Sequence, residues 1–508
     1  MQVPPQEGGF PIMGNAEMKN IKTDNILFIK ATIENISPLH IGDDEDEILI
    51  DKDSNMAYLP ATSIAGSFSA YLRDAGYDYR LLFGEQNDDT ASMSRIFISD
   101  SFSEVTGIQR RDGIRINPVT GTALNKSKMN KLYLSEGMQF KLLFEIHCNS
   151  NKSNEEKEKF KEMIYKCLKA LDRKHITFGA GKSKGLGIFK VIEAEEFDFD
   201  LTKIDDLERY LKKDFSISRK IKINNDIKND NIKNQVSDDA GNSVEMDTGV
   251  NLVEFKLSGQ LTTPVLIKTS NIFEKRKLDE VNIKSGGHYI IPGSGLKGIL
   301  RARMRKIAAY YGCENKVDEI FGEYYDDGSN SSDSNSDSIS NTSGSGSETE
   351  TDSEKTKKNK KHVLSRVMVR ETIINNDGYN NSTVYNRIKI DKFTGGTIRG
   401  ALVQEAPVIG NIEAEIVYRK TGKEEFDDFA IGLLLFALRD LATENVNIGS
   451  GASIGRGHFK AHEMRVSDDS GNLIKIDFIN KKIQGEELLQ KYINSVKEYG
   501  SVQEVPYE

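Results

Sequence analysis

An α+β fold made twice in tandem is what the sequence predicts, each copy a βαββαβ unit carrying long insertions. The first observation behind this is a glycine-rich string, FGAGKSKGLGIFK at residues 178–190, that returns as IGSGASIGRGHFK at 448–460. The second is that three further echoes keep the same order: YLPATSIAG (58–66) with IIPGSGLKG (290–298), LFGE (82–85) with IFGE (320–323), and Ser94-Arg95-Ile96 with Ser365-Arg366-Val367. Chance similarity does not preserve the order of four motifs, so the chain holds duplicated domains. The third is hydrophobic periodicity, which alternates or steps by three to four at matching places in both copies.

Taken in order, each unit opens with an alternating strand, 26–36 or 253–262. A charged loop and a short strand ending at Pro60 or Pro292 follow. A helix then starts on small polar residues, 63–75 or 294–311, with Ser294 placed to cap the second. Segments rich in β-formers lead to a second helix, 155–172 or 425–444, with apolar residues on one face. The glycine-rich segment and a last strand complete the unit. That order implies a ferredoxin-like (RRM-like) sheet with its helices on one face. The expected divisions are a flexible leader (1–24), a first domain (25–195), a linker (196–250), a second domain (251–465) and a C-terminal tail (466–508) with one amphipathic helix near 486–498.

Composition narrows the function classes. With 37% hydrophobic and 29% charged residues, the 508-residue chain reads as globular and loop-rich. No apolar run reaches the ~18 residues of a spanning helix, and no secretory pattern opens the sequence. Three scattered cysteines, Cys148, Cys167 and Cys313, lack zinc spacing and fit a reducing cytoplasm. The net charge of -9 seems to disfavour a nucleic-acid partner, but eight acids fall between Asp326 and Glu354 with no Lys or Arg among them. That stretch, with the lysines that follow to residue 362, reads as a disordered insertion. The remainder carries about -1, so any RNA contact must come from local basic patches.

Two elements offer such patches. Gly179, Gly181, Gly185 and Gly187 permit close approaches, and Lys182 and Lys184, with Arg456 in the second copy, bring positive charge. The loop either tracks a phosphate backbone or is simply a turn entering the sheet. At Pro292–Gly298 a helix start combines Ser294 and free amides with Lys297 and Arg301 one turn apart, a natural phosphate seat. The first copy has Ala65 and Ser69 in those cation positions.

Leu39-His40-Ile41-Gly42 after the first strand, the Pro-Gly-Ser-Gly-Leu-Lys-Gly segment and the closing glycine-rich loop together resemble the RAMP superfamily. More narrowly, they resemble backbone subunits of type III CRISPR effector complexes, with two units fused. The resemblance implies guide RNA (crRNA), complementary target RNA and other effector subunits as partners, and no membrane. It also implies protruding hairpins that interrupt the guide–target duplex; segments 113–122 and 387–397 resemble them, making Arg115, Arg387 and Lys389 RNA contacts, with His40 another. Target slicing in that family depends on an aspartate in the loop after the first strand. Aligning Asp46-Glu47-Ile48 with Asp279-Glu280-Val281 selects Asp46 and Asp279, with Asp44 in reserve. Each would engage a transient Mg²⁺ or other divalent cation, with no dedicated metal site. Leu266 stands where the first copy has His40, which speaks against a shared histidine base. Two other readings stay open: a non-catalytic RNA-binding backbone, and a guide-processing endoribonuclease.

Overall fold

The computed structural model describes residues 23–501 apart from 43–46, 52, 87–90, 118–119, 126, 149–153, 224–250, 270–277, 323, 326–360, 363 and 382. Asp44, Asp46, residues 1–22 of the leader and residues 326–360 of the insertion lie outside the described residues.

In the first unit β1 (Asn25–Asn35) is the central strand, paired antiparallel to β2 (Gln139–Cys148) on one side and β3 (Phe189–Asp200) on the other. Residues 96–98 add to the far side of β2. In the second unit β4 (Leu252–Leu261) repeats this role between β5 (Asn411–Arg419) and β6 (Phe459–Asp468), with Val367–Val369 beyond β5. Counting the four strands of each unit in chain order, the sheet order is 4-1-3-2 in both, the ferredoxin-like arrangement expected from the element order. Both central strands carry a register shift, at Thr32/Ile33 and at Ser258/Gly259.

The crossover helices are α1 (Ala61–Asp74) and α2 (Asn154–Asp172) in the first unit, α3 (Gly293–Ala309) and α4 (Glu424–Ala442) in the second. The N-cap of α3 is Pro292, not Ser294, and no side chain caps it. Pro fixes its own φ and so starts a helix by geometry rather than by a hydrogen bond. Each unit has its own core: Phe68, Phe140, Phe144, Phe178 and Phe189 are buried in the first, Phe255, Tyr418, Phe429 and Phe459 in the second.

The units depart from the expected plan at their ends. The first continues past residue 195: β3 runs to Asp200, and the helix Ile204–Leu211 folds back over the sheet's other face. There Ile26, Phe28, Phe197 and Phe199 pack with Tyr210 and Phe215, so both faces of β1 are covered. The second unit likewise takes in its tail. Strands Leu473–Asp477 and Lys482–Gln484 extend the sheet beyond β6, and the helix Glu486–Ser501 lies against α4. This explains why α4 is apolar all round: Ile431, Leu434, Leu435 and Leu438 are all buried. Gly432 permits the contact, since a Cβ there would collide with the Tyr492 carbonyl.

Candidate nucleic-acid interface

The two glycine-rich segments fold alike. Each is one turn of 3-10 helix, Lys182–Lys184 or Ala452–Ile454, held between two left-handed glycines, Gly181/Gly185 or Gly451/Gly455. Ala180 N–H donates to the His40 carbonyl at 2.7 Å and Ser450 N–H to that of Leu266 at 2.8 Å, so His40 and Leu266 are equivalent positions, as the alignment has them. The glycines serve backbone geometry: a Cβ on Gly187 or Gly457 would run into the Phe178 or Ile448 carbonyl.

What the first loop does next was not legible. It docks on the second unit. A Cβ at Gly185 would stand 2.7 Å from both Arg370 Cα and Glu371 N, and one at Gly293 would strike the Lys184 carbonyl. The helix start read as a phosphate seat is therefore occupied by the chain's own first half. Lys297 points inward there, donating from Nζ to Ser365 Oγ at 2.7 Å. Desolvation, with Lys184 and Arg301 nearby, pushes its ammonium down to about 7. Arg301 is bound to Asp318 at 2.9 Å. Lys297 and Arg301, expected as RNA contacts, are both engaged by partners within their own unit, while Ser294 is exposed beside the joint. Lys182 donates to Ser67 Oγ at 2.9 Å within its own unit; Lys184 is exposed at the joint's edge.

Burying Lys297 gives a pH signature. Below about pH 7 the ammonium is charged in both states and its desolvation cost is fully present. Between about 7 and 10.5 the unfolded chain binds a proton that the folded chain does not, so stability rises with pH. Urea titrations from pH 7 to 10 should show that rise in the wild type and a flatter profile in Lys297→Met.

Two more assigned contacts are internal. His40 is 1% exposed, and its Nδ1 lies 2.8 Å from the Leu132 carbonyl, with the ring against Tyr133. It pins a hairpin to the sheet and offers nothing to RNA. Arg456 is also buried: it grips Glu405 at 2.6 Å, and Glu405, 1% exposed, also holds Arg387 at 2.7 Å. Desolvation pushes the Glu405 carboxyl up, but the two guanidiniums more than offset it and hold the group below the ordinary carboxylate range. This latch ties the second glycine-rich loop to the root of a hairpin.

The hairpins are what the surface displays. Ile108–Gly113 pairs with Met129–Leu134, and Tyr385–Arg387 with Val403–Ala406. Their tips share one turn. Gly121 N–H donates to the Asn117 carbonyl at 2.9 Å, Gly395 N–H to that of Asp391 at 3.0 Å, and each Asx side chain takes the N–H three residues on. Bridges Ile116↔Ala123 and Ile390↔Thr397 fix the register, which makes Arg115 and Lys389 equivalent, both exposed. Ile114 and Ile116 are exposed on one tip; Ile388, Ile390 and Phe393, the last 99% exposed, on the other. Sequence reading found the cations and missed Phe393, although its Asp-Lys-Phe-Thr-Gly turn is visible in the sequence. Apolar wedges flanked by cations suit the separation of stacked bases.

Asp279 sits at the root of the second hairpin, exposed, with Oδ2 accepting the Gln404 N–H at 2.8 Å. Its proposed twin needs adjustment. Bridges Gly42↔Ile48 and Lys268↔Asn282 set Ile48 opposite Asn282, one place from the sequence alignment. Counted back in sequence from that pair, Asp279 falls level with Glu45 and Asp46 with Glu280, and residues 43–46 themselves lie outside the described residues. Asn282 is a buried polar residue at that position, 1% exposed, accepting from Ile267 N and donating to Val265 O and Ala406 O. Among the described residues no three His, Cys, Asp or Glu groups converge to hold a metal. One exposed carboxylate with a single oxygen engaged does fit a Mg²⁺ ion that keeps most of its waters.

Among the described residues no helix is long and apolar enough to cross a membrane. No curated protein matches the chain. A family model for the RAMP superfamily matches residues 32–190 and 260–460, one block on each of the two sheets described above. The chain, with a 4-1-3-2 sheet and a glycine-bracketed loop in both halves, belongs to the RAMP superfamily.

Proposed function

We propose that this chain is a guide-RNA-binding backbone subunit of a type III CRISPR effector that cleaves complementary target RNA near its hairpins. Family membership supports the coarser statement, a CRISPR-associated RNA-binding subunit. The observation that carries the finer reading is the pair of equivalent hairpin tips with Asp279 at the root of one. The exposed isoleucines and Phe393 would part the duplex and Arg115 and Lys389 would hold phosphates. A displaced nucleotide would bring its 2′-hydroxyl in line with the next phosphate. A hydrated Mg²⁺ at Asp279, and at Asp46 in the first unit, would neutralise charge on the scissile phosphate.

The test is to assemble the complex with guide RNA and Mg²⁺ and map cuts in complementary RNA. Asp279→Ala should lower one cut on the order of 10²-fold, the scale of one lost electrostatic contact in a transition state, and spare guide binding. Asp46→Ala should remove the other, with Glu45→Ala as the register control. Unchanged cutting in all three variants would leave the non-catalytic backbone as the reading.

A further inference from the structure

Both units carry a helix beyond their ferredoxin-like elements, and the two are packed differently. The second unit's helix, Glu486–Ser501, sets Tyr492 and Val496 against Gly432 of α4, and both side chains are buried. The first unit's helix, Ile204–Leu211, seats Tyr210 in the aromatic cluster beneath it, against Phe28 and Phe199. On its other side Ile204, Leu207 and Leu211 are 81%, 37% and 72% exposed. Steps of three and four residues put these three on one face. Large apolar side chains grouped in water mark a surface made to be covered.

The first described residues lie beside that stripe. Leu201 N–H donates to the Asp24 carbonyl at 2.9 Å, and Asn25 Nδ2 donates to Asp198 Oδ1 at 2.9 Å. Leu201 is three residues before Ile204, so the segment that feeds β1 arrives at the start of the stripe. Residues 1–22 lie outside the described residues. Their sequence holds one run of four apolar residues, Phe10-Pro11-Ile12-Met13, between Gly8-Gly9 and Gly14. The ten residues 14–23 span up to about 33 Å when extended, and the eight-residue helix is about 12 Å long. The run therefore reaches every position of the stripe.

The tether favours this occupant over others. A segment joined through so short a span acts at an effective concentration in the millimolar range. A separate polypeptide of equal affinity at micromolar concentration is outcompeted about a thousandfold. Pro11 fixes its own φ, which reduces the entropy lost on docking.

We propose that residues 10–13 of this chain pack on the stripe formed by Ile204, Leu207 and Leu211, adding an outer layer to the covered sheet face of the first unit. Neither RNA nor Mg²⁺ nor a partner subunit enters the test.

The chain has no tryptophan, so Phe10→Trp gives the leader a single reporter. In the full chain its emission should lie to the blue of an exposed indole and resist acrylamide, equally from low to high micromolar protein. Adding Ile204→Asp/Leu211→Lys, charges that suit the two ends of the helix dipole, should keep wild-type circular dichroism. It should move the emission to the red and raise quenching several-fold. As a second probe, Leu211→Cys supplies a reactive thiol, because Cys148, Cys167 and Cys313 are all buried. Phe10→Ser/Ile12→Ser should speed the reaction of that thiol with a disulfide reagent several-fold. The proposal is overturned if the tryptophan is quenched equally with and without the stripe substitutions, or if the thiol reacts equally fast with either leader; a different polypeptide would then be the cover. Shielding that grows with protein concentration overturns it too, because a second copy then covers the stripe.

Discussion

Arg111→Ala should cost about 3–5 kcal/mol in urea unfolding, the usual effect of removing one partner of a buried ion pair, and should split one transition into two. The guanidinium grips Glu371 across the joint and also donates to Gln109 at 3.0 Å and Ser285 at 2.8 Å. Both side chains of the pair are nearly buried, 10% and 11% exposed. Desolvation pushes the Glu371 carboxyl up, and Arg111 is the charge that opposes it. Alanine would leave the carboxyl buried without its cation, and the two halves would lose a buried polar tie. Replacing both groups with apolar ones of similar size, Arg111→Met/Glu371→Leu, should recover most of the loss, because the cost lies in the orphaned charge rather than the missing attraction. A double variant as weak as the single would show that the pair does more than satisfy itself.

Glu405→Ala should be of the same size, about 3–5 kcal/mol, while Arg387→Ala, on the other side of the same carboxylate, should cost no more than about 1 kcal/mol. The asymmetry follows from exposure. Arg387 is 52% exposed and water can replace its partner; Arg456 is 10% exposed, and its Nη1 already lacks one. Denaturant midpoints of the two variants, compared directly, check the ordering. Limited proteolysis supplies a second readout, since Glu405→Ala frees the root of the 385–405 hairpin. Because Gln404, next in the chain, holds Asp279, the same change should also weaken the cut assigned to Asp279 without touching that residue.

Much of the fold was legible because it is written twice. The order of four motifs located both units, and the period of apolar residues found all four crossover helices within a few residues. Of the ends, only the helix near 486–498 was found, by its own periodicity; helix 204–211 and the strands 473–484 have no counterpart in the other copy, so no echo marked them. The candidate site was legible where chemistry is local. The Asx turns at the hairpin tips and the cations beside them follow from neighbouring residues. It was illegible where a partner comes from far along the chain. Lys297, Arg301 and Arg456 look like free cations in sequence because Ser365, Asp318 and Glu405 are remote or unremarkable there. The start of α3 looked open because nothing nearby foretells that Gly185, more than a hundred residues earlier, presses beside it.

The burial of α4 under the helix Glu486–Ser501 has a consequence for biosynthesis. A ribosome that has finished Gln484 has made every strand of the extended sheet, yet Phe426, Phe429 and Gly432 still lack the cover of Tyr492, Val496 and Tyr499. Nascent second units would therefore carry a sticky flank until the last helix clears the exit tunnel, a window in which chaperones and misassembly compete for it.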